Sequence, residues 1–293
     1  MIRPRSSGCI VMRQSFALII MAALAGFACA DSVDIGRGAV PVVVPAGYAE
    51  SEPAPLVVLV HGYTSSGAQQ ESYFKLSALA DEYGFLFVAP DGTVEKAGQK
   101  NRFWNAGEMC CNFQGSDVND AAYLKTLIDA VRAQYSVDPK RIYMSGHSNG
   151  GFMVHRMAYE YPETIAAVAA LNGSAPIRWS KPAPKDPAAI LHIHGTIDRL
   201  NAYHGGQIAG VPYPGAEDGA RQWAWYAYGS AEGKQADSKI DLDTSLEGAE
   251  TTVTRWADGA IELWTIEDGK HVPPFADDFN RRVIDWLFAH KKD

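Results

Sequence analysis

The sequence predicts an α/β protein whose single domain is built on a doubly wound, mostly parallel β-sheet. Short apolar segments alternate along the chain with longer segments in which apolar residues recur at helical spacing. The segment from Leu56 to Val60 is apolar throughout, which is typical of a parallel strand buried on both faces. Two of the short segments run directly into glycine turns, at Gly62 and at Gly195.

These segments define the predicted elements. Strands are predicted at 56–60, 85–89, 141–145, 166–171, 189–195 and 261–266. Helices are predicted at 70–83, at 118–135, from 149 onward and at 277–291. The polar stretch 229–250 is predicted to be a surface excursion, and no linker or repeat indicates a second domain.

Residues 1–30 have the features of a secretory signal peptide. Arg13 supplies the positive start, residues 16–24 supply the apolar run, and residues 28–30 form an Ala-x-Ala cleavage site before Asp31. The apolar run is too short to span a bilayer. We therefore expect a secreted or periplasmic protein in which residues 31–293 form the catalytic domain.

Two alternatives concern this segment. The true start is either Met1 or Met12, because residues 12–30 form a complete signal by themselves. Cys29 suggests a lipoprotein, although the Gly-Phe-Ala before it is a poor lipobox.

The charge of the chain argues against several classes of partner. The formal net charge at pH 7 is −8, and it becomes −11 without residues 1–30, which contain three arginines and no acidic residue. An acidic surface without a basic stripe disfavours nucleic acid and anionic membranes as partners. The oligomeric state is not predicted.

A strand, a sharp turn and a helix meet at the sequence Gly146-His-Ser148-Asn-Gly150. A serine at the centre of Gly-x-Ser-x-Gly lies on a turn that only small neighbours fit, hence the two glycines. This turn lifts the hydroxyl above the sheet and aims the backbone N–H groups that follow at one point. The arrangement is the nucleophile elbow of the α/β-hydrolase fold, and Ser148 is the predicted nucleophile.

The rest of the chain supplies an acid and a base in the order that this fold uses, which is Ser, then Asp or Glu, then His. Asp198 lies three residues beyond the end of strand 189–195, and His271 lies in a loop after the last strand. We predict that Asp198 holds the tautomer of His271. His271 then takes the proton from Ser148 and returns it to the leaving group.

Other side chains compete for these roles. Glu267 and Asp268 adjoin the histidine, but a carboxylate on the same turn has difficulty reaching Nδ1 of His271 while Nε2 faces the serine. His192 and His194 share one face of a strand, as a metal site requires, but no third and fourth ligand follow at useful spacing. Neither a metal nor a cofactor is predicted.

The loop after strand 56–60 is predicted to form part of the oxyanion hole. In this fold that loop gives one backbone N–H to the oxyanion, and the residue after the nucleophile gives the other. We assign these donors to Tyr63 and Asn149. For the substrate pocket we predict His147, whose side chain must diverge from the neighbouring nucleophile, together with Trp104 and Tyr203.

Cys110 and Cys111 are the only cysteines that remain after signal cleavage, in a compartment that oxidises thiols. Adjacent Cα atoms lie ~3.8 Å apart, below the usual range for a disulfide of ~4.4–6.8 Å, so a bridge between neighbours needs a distorted peptide. Two interpretations stay open: a rigid vicinal disulfide that stiffens the rim of the site beside Trp104, or two buried free thiols.

Several motifs, taken in order, carry a family resemblance. They are His61-Gly-Tyr63, Ala89-Pro-Asp-Gly-Thr93, Phe103-Trp-Asn105 with Cys110-Cys111, Val137-Asp-Pro139, Gly146-His-Ser-Asn-Gly-Gly151 and His194-Gly-Thr-Ile-Asp198. From about Leu56 to Leu287 the chain resembles the polyhydroxybutyrate depolymerase and feruloyl esterase group. The resemblance implies a secreted α/β-hydrolase that cleaves carboxylic esters with Ser148, Asp198 and His271 as its triad.

Together these inferences predict a serine esterase that forms an acyl-enzyme on an ester of moderate or oligomeric size. Hydroxyalkanoate, feruloyl, acetyl and synthetic polyester substrates all stay open. One alternative is an amide-bond hydrolase for polyamides or peptides, which would use the same triad. The other is a non-catalytic binding protein on a hydrolase scaffold, which the complete triad disfavours.

Overall fold

The computed structural model describes residues 31–96, 101–176 and 178–293, so the predicted signal peptide lies outside the described residues. Within these ranges the strands are β1 (Ser32–Asp34), β2 (Ala39–Val43), β3 (Ala54–Val60), β4 (Leu86–Val88), β5 (Thr93–Val94), β6 (Arg102–Phe103), β7 (Val137–His147), β8 (Ala167–Leu171), β9 (Ala189–Gly195), β10 (Gly205–Ile208), β11 (Val211–Pro214), β12 (Lys234–Gln235), β13 (Thr251–Trp256) and β14 (Ile261–Ile266). The helices are α1 (Gly67–Phe74), α2 (Ala80–Tyr83), α3 (Asp120–Gln134), α4 (Asn149–Glu160), α5 (Ala216–Tyr228) and α6 (Phe279–Phe288).

Ten of the described strands form one sheet in the order β1-β2-β4-β3-β7-β8-β9-β14-β13-β12. The strands from β4 to β14 in this order run parallel to one another, and antiparallel strands flank them at both edges. From β3 the chain moves outward to β4 and then returns to β7 on the other side, so the sheet is doubly wound. The predicted fold class is confirmed.

Two apolar clusters cover the two faces of this sheet. Within β3, Leu56, Val58 and Val60 belong to one cluster, whereas Val57 and Leu59 belong to the other, and all five are fully buried. Helices α3, α4 and α5 pack on the first face, and α1, α2 and α6 pack on the second. This two-sided burial explains why β3 is apolar at every position rather than at alternate ones.

The predicted helix 70–83 is split in the structure. Helix α1 begins at Gly67 because the Ser66 hydroxyl caps it by accepting a hydrogen bond from the Gln69 N–H at 3.2 Å. It ends at Lys75, whose φ of 54° is left-handed, and a short 3₁₀ turn leads into α2. The Glu71 carboxylate stabilises this break because it accepts hydrogen bonds from both the N–H and the hydroxyl of Ser77.

The predicted surface excursion 229–250 is partly wrong. It contains the edge strand β12, which pairs with β13, a strand that was not predicted. Leu242 and Asp243 within it are buried, and their N–H groups donate to the buried Glu250 carboxylate at 3.1 Å each. Strands β9 and β14 have the predicted bounds, and α4 begins at Asn149 as predicted. The other predicted elements are present with shifted bounds, the largest shift being at β7, which begins at Val137. None of the helices in the described ranges combines the length and the apolar character that a membrane span requires.

Candidate active site

Ser148 lies on the turn between β7 and α4, in a backbone conformation that is rare for a residue with a side chain. Its φ is 55° and its ψ is −119°. The Ser148 N–H donates to the Leu171 carbonyl at 2.8 Å, which ties the turn to the end of β8. A Cβ at Gly146 would collide with the Gly150 carbonyl, and a Cβ at Gly150 would collide with the Val60 carbonyl. Both glycines of the motif are therefore required for close packing, and strain of this kind clusters at functional sites.

Asp198 and His271 meet at the same sheet edge as Ser148. Because β7, β9 and β14 run parallel in one sheet, their carboxyl ends and the loops that follow them lie together. The Nδ1 of His271 lies 2.6 Å from the Oδ2 of Asp198, a short charge-assisted hydrogen bond. Glu267 and Asp268 are exposed.

Backbone groups also hold the Asp198 carboxylate. Its Oδ1 accepts the N–H groups of Leu200 at 2.8 Å and of Asn201 at 2.9 Å, and its side chain is fully buried. Burial acts to raise the pKa of Asp198, but the hydrogen bond and charge of His271 and the two backbone donors outweigh it, so the pKa is lowered. The group is therefore an anion that is fixed in place behind the His271 ring.

His147 packs against His271 on the cavity side, with a ring centroid separation of 4.9 Å. Its Nε2 donates to the His271 carbonyl at 2.8 Å. Burial and the nearby His271 lower the pKa of His147 to about 4. A neutral His147 thus supports the loop of His271 and lines the cavity.

The two residues assigned to the oxyanion hole flank Ser148. Asn149 is the first residue of α4, where a backbone N–H has no acceptor within the helix. Tyr63 follows Gly62, at which a Cβ would lie 3.5 Å from the Cβ of Ser148. Tyr63 and Ser148 line the same cavity. The assignment of the two N–H donors stays a prediction.

His61 and Gln70 hold the loop of Tyr63 in place. The Nδ1 of His61 donates to the Gly62 carbonyl at 2.7 Å, and its Nε2 accepts the Gly92 N–H at 2.8 Å. The buried Gln70 side chain accepts the Gly62 N–H at 3.3 Å. Burial lowers the pKa of His61, so the neutral ring can keep one donor and one acceptor. The role of Gln70 has no local signal in the sequence.

A cavity of about 700 Å³ opens above these residues. Ser148, His147 and His271 form its polar wall, and an apolar rim surrounds it. The rim side chains Phe113, Leu200 and Val272 are 49%, 70% and 57% exposed, unusually high values for large apolar residues. Cys110 and Cys111 also line the cavity, and both are buried. Their sulfur atoms are in contact, an arrangement consistent with the vicinal bridge, which stays a prediction.

Trp104 and Tyr203 do not line this cavity, which corrects their predicted place in the pocket. Trp104 is fully buried against the rings of His61 and Tyr123. The side-chain amide of Asn149 pairs with its backbone, accepting the Trp104 N–H at 2.7 Å and donating to the Trp104 carbonyl at 2.9 Å. Trp104 therefore anchors the rim loop to the elbow from below. Tyr203 turns its hydroxyl to Thr265, 2.9 Å away.

The sequence family described as Esterase PHB depolymerase matches residues 39–176 of this chain, from β2 to just beyond β8. Feruloyl esterase B of Piromyces equi is 30% identical over 191 residues, covering 62% of this chain and 34% of that protein. Poly(3-hydroxyalkanoate) depolymerase C of Paucimonas lemoignei is 28% identical over 256 residues, covering 79% of this chain and 57% of that protein. The chain thus spans only part of the length of these relatives.

Among solved structures, an acetyl xylan esterase from Aspergillus awamori superposes with a TM-score of 0.61 at 17% identity, covering 85% of this chain and 93% of that one. At this identity the likeness concerns the fold alone. The chain has the α/β-hydrolase fold. Its relatives confirm the resemblance to the polyhydroxybutyrate depolymerase and feruloyl esterase group that its motifs predicted.

Proposed function

We propose that this α/β-hydrolase is an exported serine esterase that cleaves carboxylic esters with Ser148, His271 and Asp198. The observation that carries the proposal is the hydrogen bond of 2.6 Å between His271 and Asp198. His271 lines the same cavity as Ser148, which lies on a strained turn. The names of the relatives, which are esterases and a depolymerase, support the same class of reaction. Export rests on the signal peptide that the sequence predicts at residues 1–30.

In the first half of the reaction, Oγ of Ser148 attacks the ester carbonyl while Nε2 of His271 takes the hydroxyl proton. The carbonyl oxygen becomes an oxyanion that the N–H groups of Tyr63 and Asn149 stabilise. Asp198 favours the resulting imidazolium because its carboxylate is anionic and faces Nδ1. When the tetrahedral intermediate collapses, the bond to the alcohol breaks, His271 protonates the alcohol and the acyl group stays on Ser148.

In the second half, water takes the place of the alcohol. His271 removes a proton from the water, which attacks the acyl carbonyl and forms a second oxyanion in the same position. Collapse breaks the bond to Oγ, and His271 returns the proton to Ser148. The products are a carboxylic acid and free enzyme, so no cofactor is needed to balance the reaction.

The cavity supports an ester of moderate or oligomeric size. Its volume of about 700 Å³ is ample for an aromatic acyl group or a short oligomer, and its open apolar rim leaves room for a longer chain. Turnover of p-nitrophenyl acetate, methyl ferulate, a hydroxybutyrate oligomer and a peptide amide, measured side by side, would rank the substrate classes. Amide turnover above that of every ester would favour the amide-bond hydrolase instead.

The nucleophile is tested by Ser148→Ala. We expect this variant to fold like the parent and to lose ester turnover by several powers of ten, as removal of a triad nucleophile does elsewhere. A fluorophosphonate should label Ser148 in the parent and nothing in the variant. Ser174→Ala is the matched control, since it removes another buried hydroxyl at the same sheet edge. Retained activity in Ser148→Ala would overturn the proposal.

A further inference from the structure

Asn172 is the first residue after strand β8, and it is fully buried. Its φ of 49° is left-handed, a conformation that asparagine tolerates better than most residues with a side chain. Its backbone N–H donates to the Ile193 carbonyl of β9 at 2.8 Å, and the preceding residue, Leu171, accepts the N–H of Ser148. Asn172 therefore stands between the strand end that anchors the elbow and the strand that leads to Asp198.

The Asn172 side chain bridges two loops. Its Oδ1 accepts the N–H of Gly195 at 3.0 Å. Its Nδ2 donates to the His271 carbonyl at 2.8 Å and to the Lys270 carbonyl at 3.2 Å. The orientation of the amide is determined, because the oxygen faces an N–H and the nitrogen faces two carbonyls.

The backbone carbonyl of Asn172 makes a further connection, to the loop of the acidic residue. It accepts a hydrogen bond from the side-chain amide of Asn201 at 2.6 Å. The backbone N–H of Asn201 in turn donates to Oδ1 of Asp198 at 2.9 Å. One buried residue thus contacts the loops that carry His271 and Asp198, and the residue before it, Leu171, holds the elbow of Ser148.

We propose that Asn172 is a positioning residue that fixes the His271 loop relative to Asp198 and to the elbow of Ser148. The inference rests on the proposed function. His271 and Asp198 come from loops after different strands, so chain connectivity alone does not hold one against the other. Misplacement of a catalytic group by about 1 Å can cost about 100-fold in rate, which is why such loops need direct hydrogen bonds between them.

Asn172→Asp and Asn172→Gly test this role. Aspartate has the same shape but, when ionised, no donor for the carbonyls of Lys270 and His271, and its negative charge favours the protonated form of the nearby imidazole. We expect kcat to fall about 10- to 100-fold with little change in KM. We also expect the acidic limb of the pH profile of kcat/KM to move to higher pH. Glycine keeps the left-handed backbone and its hydrogen bonds, so Asn172→Gly should lower kcat without moving the limb.

Ser174→Ala is the control for the loss of a buried hydrogen bond at this sheet edge, because the Ser174 hydroxyl donates only to the Pro214 carbonyl, at 2.9 Å. All variants are assayed below their measured unfolding temperatures, and Asn172→Gly serves if Asn172→Asp does not fold. If the folded Asn172 variants match Ser174→Ala in kcat and in pH profile, Asn172 is merely structural and the inference is overturned. If instead the parent neither hydrolyses esters nor reacts with a fluorophosphonate, the proposed function itself has failed.

Discussion

Two groups of histidines lie close to Asp198, and only one of them lines the cavity. His271 and His147 line the cavity wall. His194, His192 and His155 lie in the interior, each at most 2% exposed. The same residue type is thus used in two ways.

The interior group is a chain of ring-to-ring contacts. Nε2 of His192 lies 3.0 Å from Nδ1 of His194, whose Nε2 lies 2.8 Å from the Asn201 carbonyl. Nδ1 of His155 accepts the indole N–H of Trp223 at 3.0 Å. Burial lowers the pKa of His194 to about 4 and that of His155 to about 3. These rings are neutral and act as packing and hydrogen-bonding groups.

The difference lies in what each ring offers to a reacting atom. His194 comes to 3.7 Å from Oδ2 of Asp198, but that oxygen is already hydrogen-bonded to His271 at 2.6 Å. Both nitrogens of His194 have partners in the interior, whereas Nδ1 of His271 is bonded to Asp198 and His271 lines the cavity. A buried histidine beside a carboxylate is therefore a candidate base only where its second nitrogen is free to meet substrate.

Among the changes that test this comparison, the largest effect is expected from Asp198→Asn. Oδ1 of Asp198 accepts two backbone N–H groups, so an asparagine would keep its oxygen there and turn its NH₂ group toward Nδ1 of His271. The imidazole would then carry its proton on Nε2, the wrong tautomer for a base. We expect kcat to fall about 10⁴-fold, as the same change does in another serine hydrolase. Steady-state kinetics with a simple ester should show little change in KM.

Glu267→Gln and Asp268→Asn are the matched controls for this change. Both side chains are exposed, and neither makes a hydrogen bond to His271. We expect each to stay within about tenfold of the parent, a barrier change of about 1.4 kcal/mol. If Asp198→Asn is nearly as active as its controls, another group acts as the third member of the triad.

The residues that could be predicted from sequence are those that local pattern places. Ser148 has two glycines and a strand–helix junction around it, and Asp198 and His271 each follow a strand in the order that the fold uses. Tyr203 lies five residues after Asp198, and Trp104 lies six residues before Cys110. No local pattern shows whether such a side chain points to the cavity or to the core.

Asn172 illustrates why the remainder could not be predicted. Its side-chain partners lie 23, 98 and 99 residues away along the chain. A buried amide of this kind is selected by tertiary contacts, and a single sequence gives no periodicity or spacing that would indicate them. The same holds for Gln70, which supports the oxyanion loop from a helix whose break at Lys75 the pattern also did not indicate.

A smaller effect is expected from His147→Gln. The pKa of His147 is lowered to about 4, so this ring is neutral between about pH 5 and 8, where an ordinary imidazole titrates. Glutamine keeps a donor for the His271 carbonyl, so kcat/KM should stay within about tenfold of the parent, about 1.4 kcal/mol in barrier. The fall of kcat/KM on acidification should persist, because the proposed base, His271, is unchanged in this variant. Loss of that fall in His147→Gln would assign the base to His147.

The smallest effect on activity is expected from His155→Gln, which should instead change how stability depends on pH. The pKa of His155 is about 3 in the folded protein and about 6.5 when unfolded, so between these values the unfolded chain binds a proton that the folded protein does not. The contribution of His155 to the free energy of unfolding is then fully present above about pH 6.5. It is lost as the pH falls toward 3, by up to about 1.4 kcal/mol per pH unit. Glutamine removes this contribution and keeps an acceptor for Trp223. Denaturant unfolding between pH 4 and 6 should show that the free energy of unfolding of the variant changes less steeply with pH, by about one proton, while kcat is unchanged. An unchanged slope would mean that His155 is protonated in the folded protein.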